Sequence, residues 1–131
     1  MFLIQIEGCK SFSIASDIDP DAIRGTVWNA RKNKIAPLIR SVNGDGFRCR
    51  FVNRGAHFDL IVANILARPL ISMAADIERH LLGADAGGGA VILSGFLARD
   101  IRWVISAFKA RRLILQRIFI LDGWASLLLT R

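Results

Sequence analysis

Apolar and polar residues follow one another in blocks that predict strands separated by helices. Phe12 to Ser16 is a short apolar run, typical of a buried strand, and the turn sequence Asp17-Ile18-Asp19-Pro20 comes directly after it. Asp19 is suited to cap a helix that begins at Pro20 and ends near Asn33. The apolar positions that repeat at helical spacing in this segment are Ile23, Val27 and Ala30.

The following segment predicts two short strands around a tight turn. Leu38 to Val42 predicts a strand, and the glycines of Asn43-Gly44-Asp45-Gly46 suit the turn that closes it. Phe47, Cys49 and Phe51 then alternate with arginines, which is a weak signal for an edge strand.

The middle of the chain predicts a buried strand, a helix and a second buried strand. Phe58 to Asn64 is almost continuously apolar, the pattern of a parallel strand covered on both faces. A helix is expected to open at Pro69, and Ala90 to Leu93 predicts a strand that stops at Ser94-Gly95. The residues that share one face of that helix are Leu70, Met73, Ala74, Ile77 and Leu81.

The last third predicts a helix and a hairpin. The helix has apolar residues at helical spacing from Ile101 to Phe108. Leu113 to Leu121 and Trp124 to Thr130 predict two strands joined by Asp122-Gly123, a strong hairpin signal. Because buried strands alternate with helices, the chain predicts one α/β domain over residues 1–131, with a mostly parallel sheet and a carboxyl-terminal antiparallel hairpin.

Composition agrees with a single globular domain and bears on the compartment in which the protein is found. Of the 131 residues 53% are hydrophobic and 22% are charged, which leaves room for a real core. The longest apolar stretch, Leu113 to Leu121, is interrupted by Gln116 and Arg117 and is too short for a membrane span. The opening residues lack the features of a secretory signal, so we expect a cytoplasmic protein.

The net charge of +7 favours encounter with anionic partners such as RNA. The arginines are spread along the chain without a cluster of stacking aromatics, so solvated faces are the better interpretation and no direct nucleic-acid site is expected. A basic RNA- or ribosome-binding module and a non-catalytic interaction fragment remain alternatives to an enzyme. The slope of nucleic-acid affinity against salt concentration would identify the first.

Cysteine and histidine do not predict a metal site. Cys9 and Cys49 lie far apart and have no partner at ligand spacing, so reduced thiols are expected. His57 and His80 also stand alone, which favours a surface or core histidine over a ligand.

Four polar residues close the predicted strands, where ligands bind in open α/β sheets: Asp17, Asp45, Asn64 and Ser94. Asp17 is equally consistent with accepting ribose hydroxyls and with capping the next helix. Asp45 has the same ambiguity, with a turn aspartate favoured by composition. A polar side chain that ends an apolar strand suggests a site at Asn64, although a helix cap or a loop-bracing amide is the alternative.

Several common catalytic signatures are absent from the sequence. No Gly-x-Gly-x-x-Gly loop follows a strand, and the glycines 87–89 precede theirs. No nucleophile triad and no Walker-type loop is present.

Several segments, in order along residues 10–131, resemble the ribosomal protein L11 methyltransferase (PrmA) family. They are Ser16-Asp17-Ile18-Asp19-Pro20, Asn29 to Asn33, Phe58 to Leu70 with its Ala-Asn-Ile-Leu-Ala sequence, Leu93 to Leu97, and Trp124. The resemblance implies a Rossmann-like class I enzyme that uses S-adenosyl-L-methionine to methylate amino groups of ribosomal protein L11 in the bacterial cytoplasm.

The resemblance also implies roles for individual residues. Asp17 would hold the ribose hydroxyls, Ile18 would lie against adenine, and Asp45 with the Gly46 backbone would meet the adenine edge. Asn64 would orient the acceptor amine and the methionine end of the cofactor, as the catalytic residue.

The family's first strand and glycine-rich loop have no counterpart in this sequence. The resemblance places them before residue 1 and leaves Met1 to Gly8 as a remnant of the following helix. The chain is therefore expected to be inactive alone, with the first strand missing. The strands that flank this position would have free edges and would favour self-association.

Overall fold

The computed structural model describes residues 2–6, 12–50, 52 and 57–131, with side chains described from residue 13 onward. These residues contain seven strands and three α-helices. The strands are β1 (Phe2–Ile6), β2 (Phe12–Asp17), β3 (Ile39–Asn43), β4 (Leu60–Asn64), β5 (Ala90–Leu97), β6 (Ile114–Leu121) and β7 (Trp124–Thr130). The helices are α1 (Pro20–Lys32), α2 (Ala67–His80) and α3 (Ile101–Lys109).

The strands form one sheet in the order β3-β2-β1-β4-β5-β7-β6. The pairs β2–β3 and β4–β5 are parallel, whereas β1 and β7 run against both of their neighbours. Five of the seven strands therefore point the same way, and their carboxyl ends lie at one edge. This arrangement confirms the predicted α/β class with its antiparallel hairpin.

Strand β1 corrects the expectation for the first residues. The segment predicted as a helix remnant is a strand, and it lies between β2 and β4, where Phe2 is in register with Ser16 on one side and Ala63 on the other. The edges of β2 and β4 are thus paired rather than free. A buried strand edge carries backbone groups that need partners, and an apolar segment in extended conformation supplies them.

Three local predictions also need correction. The weak edge strand at Phe47 is a short 3-10 helix, Gly46–Arg48, because the Phe47 ring is buried and stacks on His80 at 4.6 Å; Phe51 lies outside the described residues. Helix α2 begins at Ala67, two residues before Pro69. Strand β5 continues through Ser94-Gly95 to Leu97, with a register shift against β7 between Leu93 and Phe96.

The signals at the ends of elements behave as their chemistry predicts. Asp19 caps α1, its side chain accepting a hydrogen bond from the backbone N–H of Asp21, and Asn33 ends the helix. The β6–β7 turn has positive φ at both Asp122 (48°) and Gly123 (80°), the conformation that suits a two-residue hairpin.

The core lies where α2 and α3 pack on the sheet. Its largest fully buried side chains include Phe58, Phe96 and Phe108, and α2 contributes the predicted Leu70 and Ile77. His80 is also buried, with Nδ1 2.7 Å from the backbone oxygen of Asp76, as expected of a satisfied core histidine. No helix in the described ranges is both long and apolar enough to cross a membrane.

Candidate functional site

A cavity of about 310 Å³ opens where the carboxyl ends of β2, β3 and β4 meet. Its lining residues are Ser16, Asp17, Ile18, Gly44, Asp45, Gly46, Ile65, Leu66, Pro69 and Met73. Four of the residues that sequence analysis selected, Asp17, Ile18, Asp45 and Gly46, are therefore brought together from two separate turns. The fifth, Asn64, is not among the lining residues, although the two residues after it are.

Asp17 lies at the end of β2 in a tight turn. Its Oδ1 accepts a hydrogen bond from the backbone N–H of Asp19 at 2.9 Å. Burial raises the pKa of Asp17, but hydrogen bonds from the backbone N–H groups of Asp19 and Ile18 act the other way, and the pKa is lowered from its ordinary value of 3.8. Asp17 is therefore a carboxylate at neutral pH. It does not cap the next helix, because Asp19 accepts the capping hydrogen bond.

The two turns that frame the cavity are tied to each other by hydrogen bonds. Buried Ser16 donates from Oγ to the backbone oxygen of Gly44 at 3.1 Å, and the N–H of Gly44 donates to the backbone oxygen of Asp17 at 2.9 Å. Asn43 adds two bonds from Nδ2, to the backbone oxygens of Asp17 and Ile18. The relative position of Asp17 and the 43–46 turn is therefore fixed by one backbone bond and by bonds from the side chains of Ser16 and Asn43.

Ile18 and the 44–46 turn form contrasting walls. Ile18 is 72% exposed although it is apolar, and it lines the same cavity as Gly44 and Gly46. Gly46 is buried and has φ +49°, a conformation that favours glycine. Asp45 is exposed and lies 3.3 Å from Arg48, a surface pair that contributes little to stability.

Asn64 ends β4 and is exposed, so its polar side chain carries no burial cost that a site would have to explain. The alternative that it caps α2 is also wrong, because the capping position of that helix is Leu66, and no side-chain cap bond is made there. The remaining alternatives for Asn64 are a site residue and a brace of the loop.

A second cavity, of about 440 Å³, lies on the other side of Leu66. It is lined by Leu66, Ala67, Arg68, Pro69, Phe96, Leu97, Arg99, Asp100, Trp103 and Trp124. Leu66 and Pro69 belong to both cavities. The segment that follows Asn64 is thus the wall between them.

Sequence analysis missed the contribution of α2 to the first cavity. Pro69 was selected only as a helix start, and Met73 only as part of the buried face, yet both line it. Half-buried Met73 sits one turn beyond Pro69, and a helix start directly after a strand end is the signal that points to this wall.

Comparison with known proteins gives a consistent family. Residues 8–131 match the family model described as ribosomal protein L11 methyltransferase (PrmA). The protein of that name from Bradyrhizobium diazoefficiens is 42% identical over 118 residues, and the one from Rhizobium etli is 45% identical over 115 residues. These matches cover 90% and 87% of this chain but only 39% and 38% of the relatives, so the chain spans about two fifths of their length.

Solved structures agree with the fold. The ribosomal protein L11 methylase of Lactobacillus delbrueckii subsp. bulgaricus superposes with a TM-score of 0.77 at 26% identity, covering 90% of this chain and 56% of that one. Aeropyrum pernix fibrillarin, solved with bound S-adenosyl-L-methionine, gives a TM-score of 0.70 at 14% identity over 88% of this chain and 54% of that one, which shows a shared fold.

Proposed function

This chain belongs to the ribosomal protein L11 methyltransferase (PrmA) family, and we propose that it carries the nucleoside half of an S-adenosyl-L-methionine site together with the residue that orients the methyl acceptor. One observation carries the proposal. A carboxylate, an exposed apolar side chain and a glycine-containing turn line one cavity at the carboxyl edge of the sheet, although they come from different parts of the chain.

The nucleoside roles follow from the chemistry of these groups. Two neighbouring ribose hydroxyls are donors that one carboxylate binds well, and Asp17 is ionised at neutral pH. A flat adenine ring needs an apolar surface, which Ile18 offers. Asp45 and the Gly46 backbone take the edge of the base, where hydrogen-bonding groups lie. The cavity volume, about 310 Å³, is near the lower end for small-molecule sites and suits part of the cofactor.

Binding of the methionine half of the cofactor has less support among the described residues. At the centre of the sheet the antiparallel β1 turns its amino end to the cavity, because Phe2 is in register with Ser16 and Ala63. A strand in this direction cannot lead into a helix through a loop at that edge. Among the described residues, the only glycine-containing turn that lines the cavity is 44–46, which is assigned above to the nucleoside half.

Asn64 is proposed to orient the acceptor amine between the two cavities. When bound, the cofactor supplies an activated methyl group: the amine nitrogen forms the new bond to carbon, the carbon–sulfur bond breaks, the sulfonium becomes a neutral thioether, and the amine loses a proton. The residues supply positioning and desolvation, which provide much of the advantage in such a displacement. The second cavity has aromatic walls from Trp103 and Trp124 and charged groups from Arg68, Arg99 and Asp100, and it gives a side chain carrying an amine an approach with both.

The proposed substrate is the set of amino groups on ribosomal protein L11, which the names of the curated relatives support. Residues 1–131 would then act as one partial methyltransferase domain in the cytoplasm. Self-association is proposed to use the outer strand β6 rather than the paired edges of β2 and β4.

A chimera tests the proposal. Residues 12–131 replace the matching segment of the Bradyrhizobium diazoefficiens relative, and transfer of a labelled methyl group to ribosomal protein L11 is measured. We expect activity, and we expect Asp17→Ala to raise KM for the cofactor by roughly 10- to 100-fold, the effect of losing a charged hydrogen-bond acceptor.

Asp85→Ala is the matched control, because Asp85 is an exposed aspartate that lines neither cavity described above. This variant should keep the unmodified KM. A folded chimera without methyl transfer, or an unchanged KM in Asp17→Ala, would contradict the proposed function.

A further inference from the structure

We propose that Gly95 is a positioning residue that sets the orientation of Asn64, an inference that rests on the proposed function for its catalytic consequence. Gly95 lies in β5, next to the strand that Asn64 ends. The sequence pattern gives Gly95 no role of its own, since Ser94-Gly95 is predicted only as the end of a strand.

The backbone around Gly95 departs from a regular strand. Its φ is +83°, in the left-handed region that favours glycine, and the register of β5 against β7 shifts between Leu93 and Phe96. On the other side, Ser94 is in register with Asn64 and accepts a hydrogen bond from the N–H of Ile65 at 3.1 Å. The irregularity therefore sits directly beside the end of β4.

Space, as well as backbone conformation, demands glycine at this position. A Cβ added at Gly95 would lie 2.4 Å from Oδ1 of Asn64, 2.8 Å from the nitrogen of Ile65 and 3.0 Å from the carbonyl carbon of Asn64. All three nearest atoms thus belong to the end of β4. Oδ1 of Asn64 occupies the space that a side chain at position 95 would take.

Asn64 is exposed, so an added Cβ at position 95 would displace its side chain before it disturbed the buried core. Any residue larger than glycine would push the amide away from β5. It would also push the 64–65 peptide, and Ile65 and Leu66 after it form walls of the candidate cavities. Gly95 acts on the site through Asn64 and is not itself placed against cofactor or acceptor.

Gly123 provides a control for backbone strain. Its φ is +80°, close to that of Gly95, but among the described residues nothing lies within 4 Å of an added Cβ. Alanine at the two positions therefore carries a similar conformational cost, and only alanine at 95 adds the collision with Asn64.

The first measurement uses the 131-residue chain and needs no activity. In an amide NMR spectrum, the side-chain amide pair of Asn64 is identified by its loss in Asn64→Ala. We expect Gly95→Ala to move or broaden this pair strongly and Gly123→Ala to leave it in place. If Gly95→Ala fails to fold, the unmodified chain still gives the answer, because the Asn64 amide protons should show a nuclear Overhauser effect to the Gly95 α-protons.

The second measurement is a double-mutant cycle in the active chimera. Gly95→Ala is expected to lower kcat by on the order of a hundredfold, the same loss that is expected for Asn64→Ala, with a smaller change in KM. If Gly95 acts through Asn64, the double variant should lose little more than either single variant. Gly123→Ala should keep kcat within about threefold.

The outcomes separate the two proposals. An unmoved Asn64 amide in folded Gly95→Ala, or a missing Overhauser effect, overturns the positioning role, and so does a double variant whose losses multiply. Full activity of Asn64→Ala in the chimera overturns the proposed role of Asn64, whatever the spectrum of Gly95→Ala shows.

Discussion

Two aspartates at the end of β2 perform different tasks, and their spacing in the sequence did not separate them. Asp19 caps α1, while Asp17 accepts the N–H of Asp19 and lines the cavity. Both are aspartates beside a helix start, so either was suited to be the cap. The difference comes from where the helix begins. Pro20 is its first residue, so Asp19 occupies the capping position and Asp17 lies two residues before it.

Asn64 was selected from the sequence because a polar side chain that ends an apolar strand is costly unless it is hydrogen-bonded or faces a site. The residue is exposed, so the burial part of that reasoning does not apply, and its role in a site stays a prediction. The apolar pattern describes Ile61 and Ala63, which are buried, and carries no information on whether the next residue passes the edge of the sheet. The resemblance to a known family was the stronger signal.

Replacing Asn64 distinguishes a site residue from a loop brace. In the chimera, Asn64→Ala is expected to reduce methyl transfer by on the order of a hundredfold, since a positioning group is lost, while the free energy of unfolding changes little. Initial rates and thermal melts on the same preparation check both statements. A variant destabilised by about 1 kcal/mol that keeps its turnover per folded molecule would identify a brace instead.

The elements themselves were largely predictable, but strand β1 was not. Helix caps, the Asp122-Gly123 turn and the apolar runs placed α1, α3, β2, β4, β6 and β7 close to their observed bounds. Phe2–Ile6 and Gly46–Arg48 were misassigned, because both short segments take their conformation from distant partners: two strands in one case and the His80 ring in the other. The local pattern of apolar and polar residues does not indicate such distant partners.

Strand β6 stands out because it is an outer strand whose last four residues, 118–121, are all apolar and exposed. Its exposed large side chains are Ile114, Ile118, Phe119, Ile120 and Leu121. Outer strands of natural sheets usually carry charges or are covered, since their unpaired backbone groups and apolar side chains promote pairing with another chain. A second copy of this chain offers the same edge.

Charge on β6 should therefore reduce self-association. We expect the unmodified chain to associate as its concentration rises, and Phe119→Glu to shift the association to at least about tenfold higher concentration. Sedimentation equilibrium measures the shift. Trp28→Glu is the control, because Trp28 is also exposed, at 58% against 64% for Phe119, and the change in net charge is identical. Equal effects of the two substitutions would assign the association to net charge and not to β6.

For the whole molecule, the fold class followed from the alternation of strands and helices, and the family from a few short segments. The sheet brings together residues that are far apart in the sequence: the 17–18 and 44–46 turns are joined by bonds from Ser16, Asn43 and Gly44. Parallel neighbours have their carboxyl ends at one edge, so this meeting was predictable. The wall from α2 and the contact of Gly95 with Asn64 were not, since they depend on packing within a few tenths of an ångström.

The central claim, that the chain binds the nucleoside and not the methionine part of the cofactor, predicts an unusual ligand profile. Methylthioadenosine contains the nucleoside without the amino acid part, and S-adenosyl-L-methionine contains both. If only the nucleoside is contacted, the two should bind with dissociation constants of about a millimolar that agree within about threefold.

A titration followed by amide NMR tests this claim most directly, with the two nucleosides and free methionine as ligands for the 131-residue chain. Both nucleosides should shift the amide resonances of Ile18, Asp45 and Gly46, and methionine should shift none of them. Unmoved resonances at these residues at about 10 mM nucleoside would show that the nucleoside is not bound there, and micromolar binding of S-adenosyl-L-methionine far tighter than that of methylthioadenosine would show that the methionine part is bound as well.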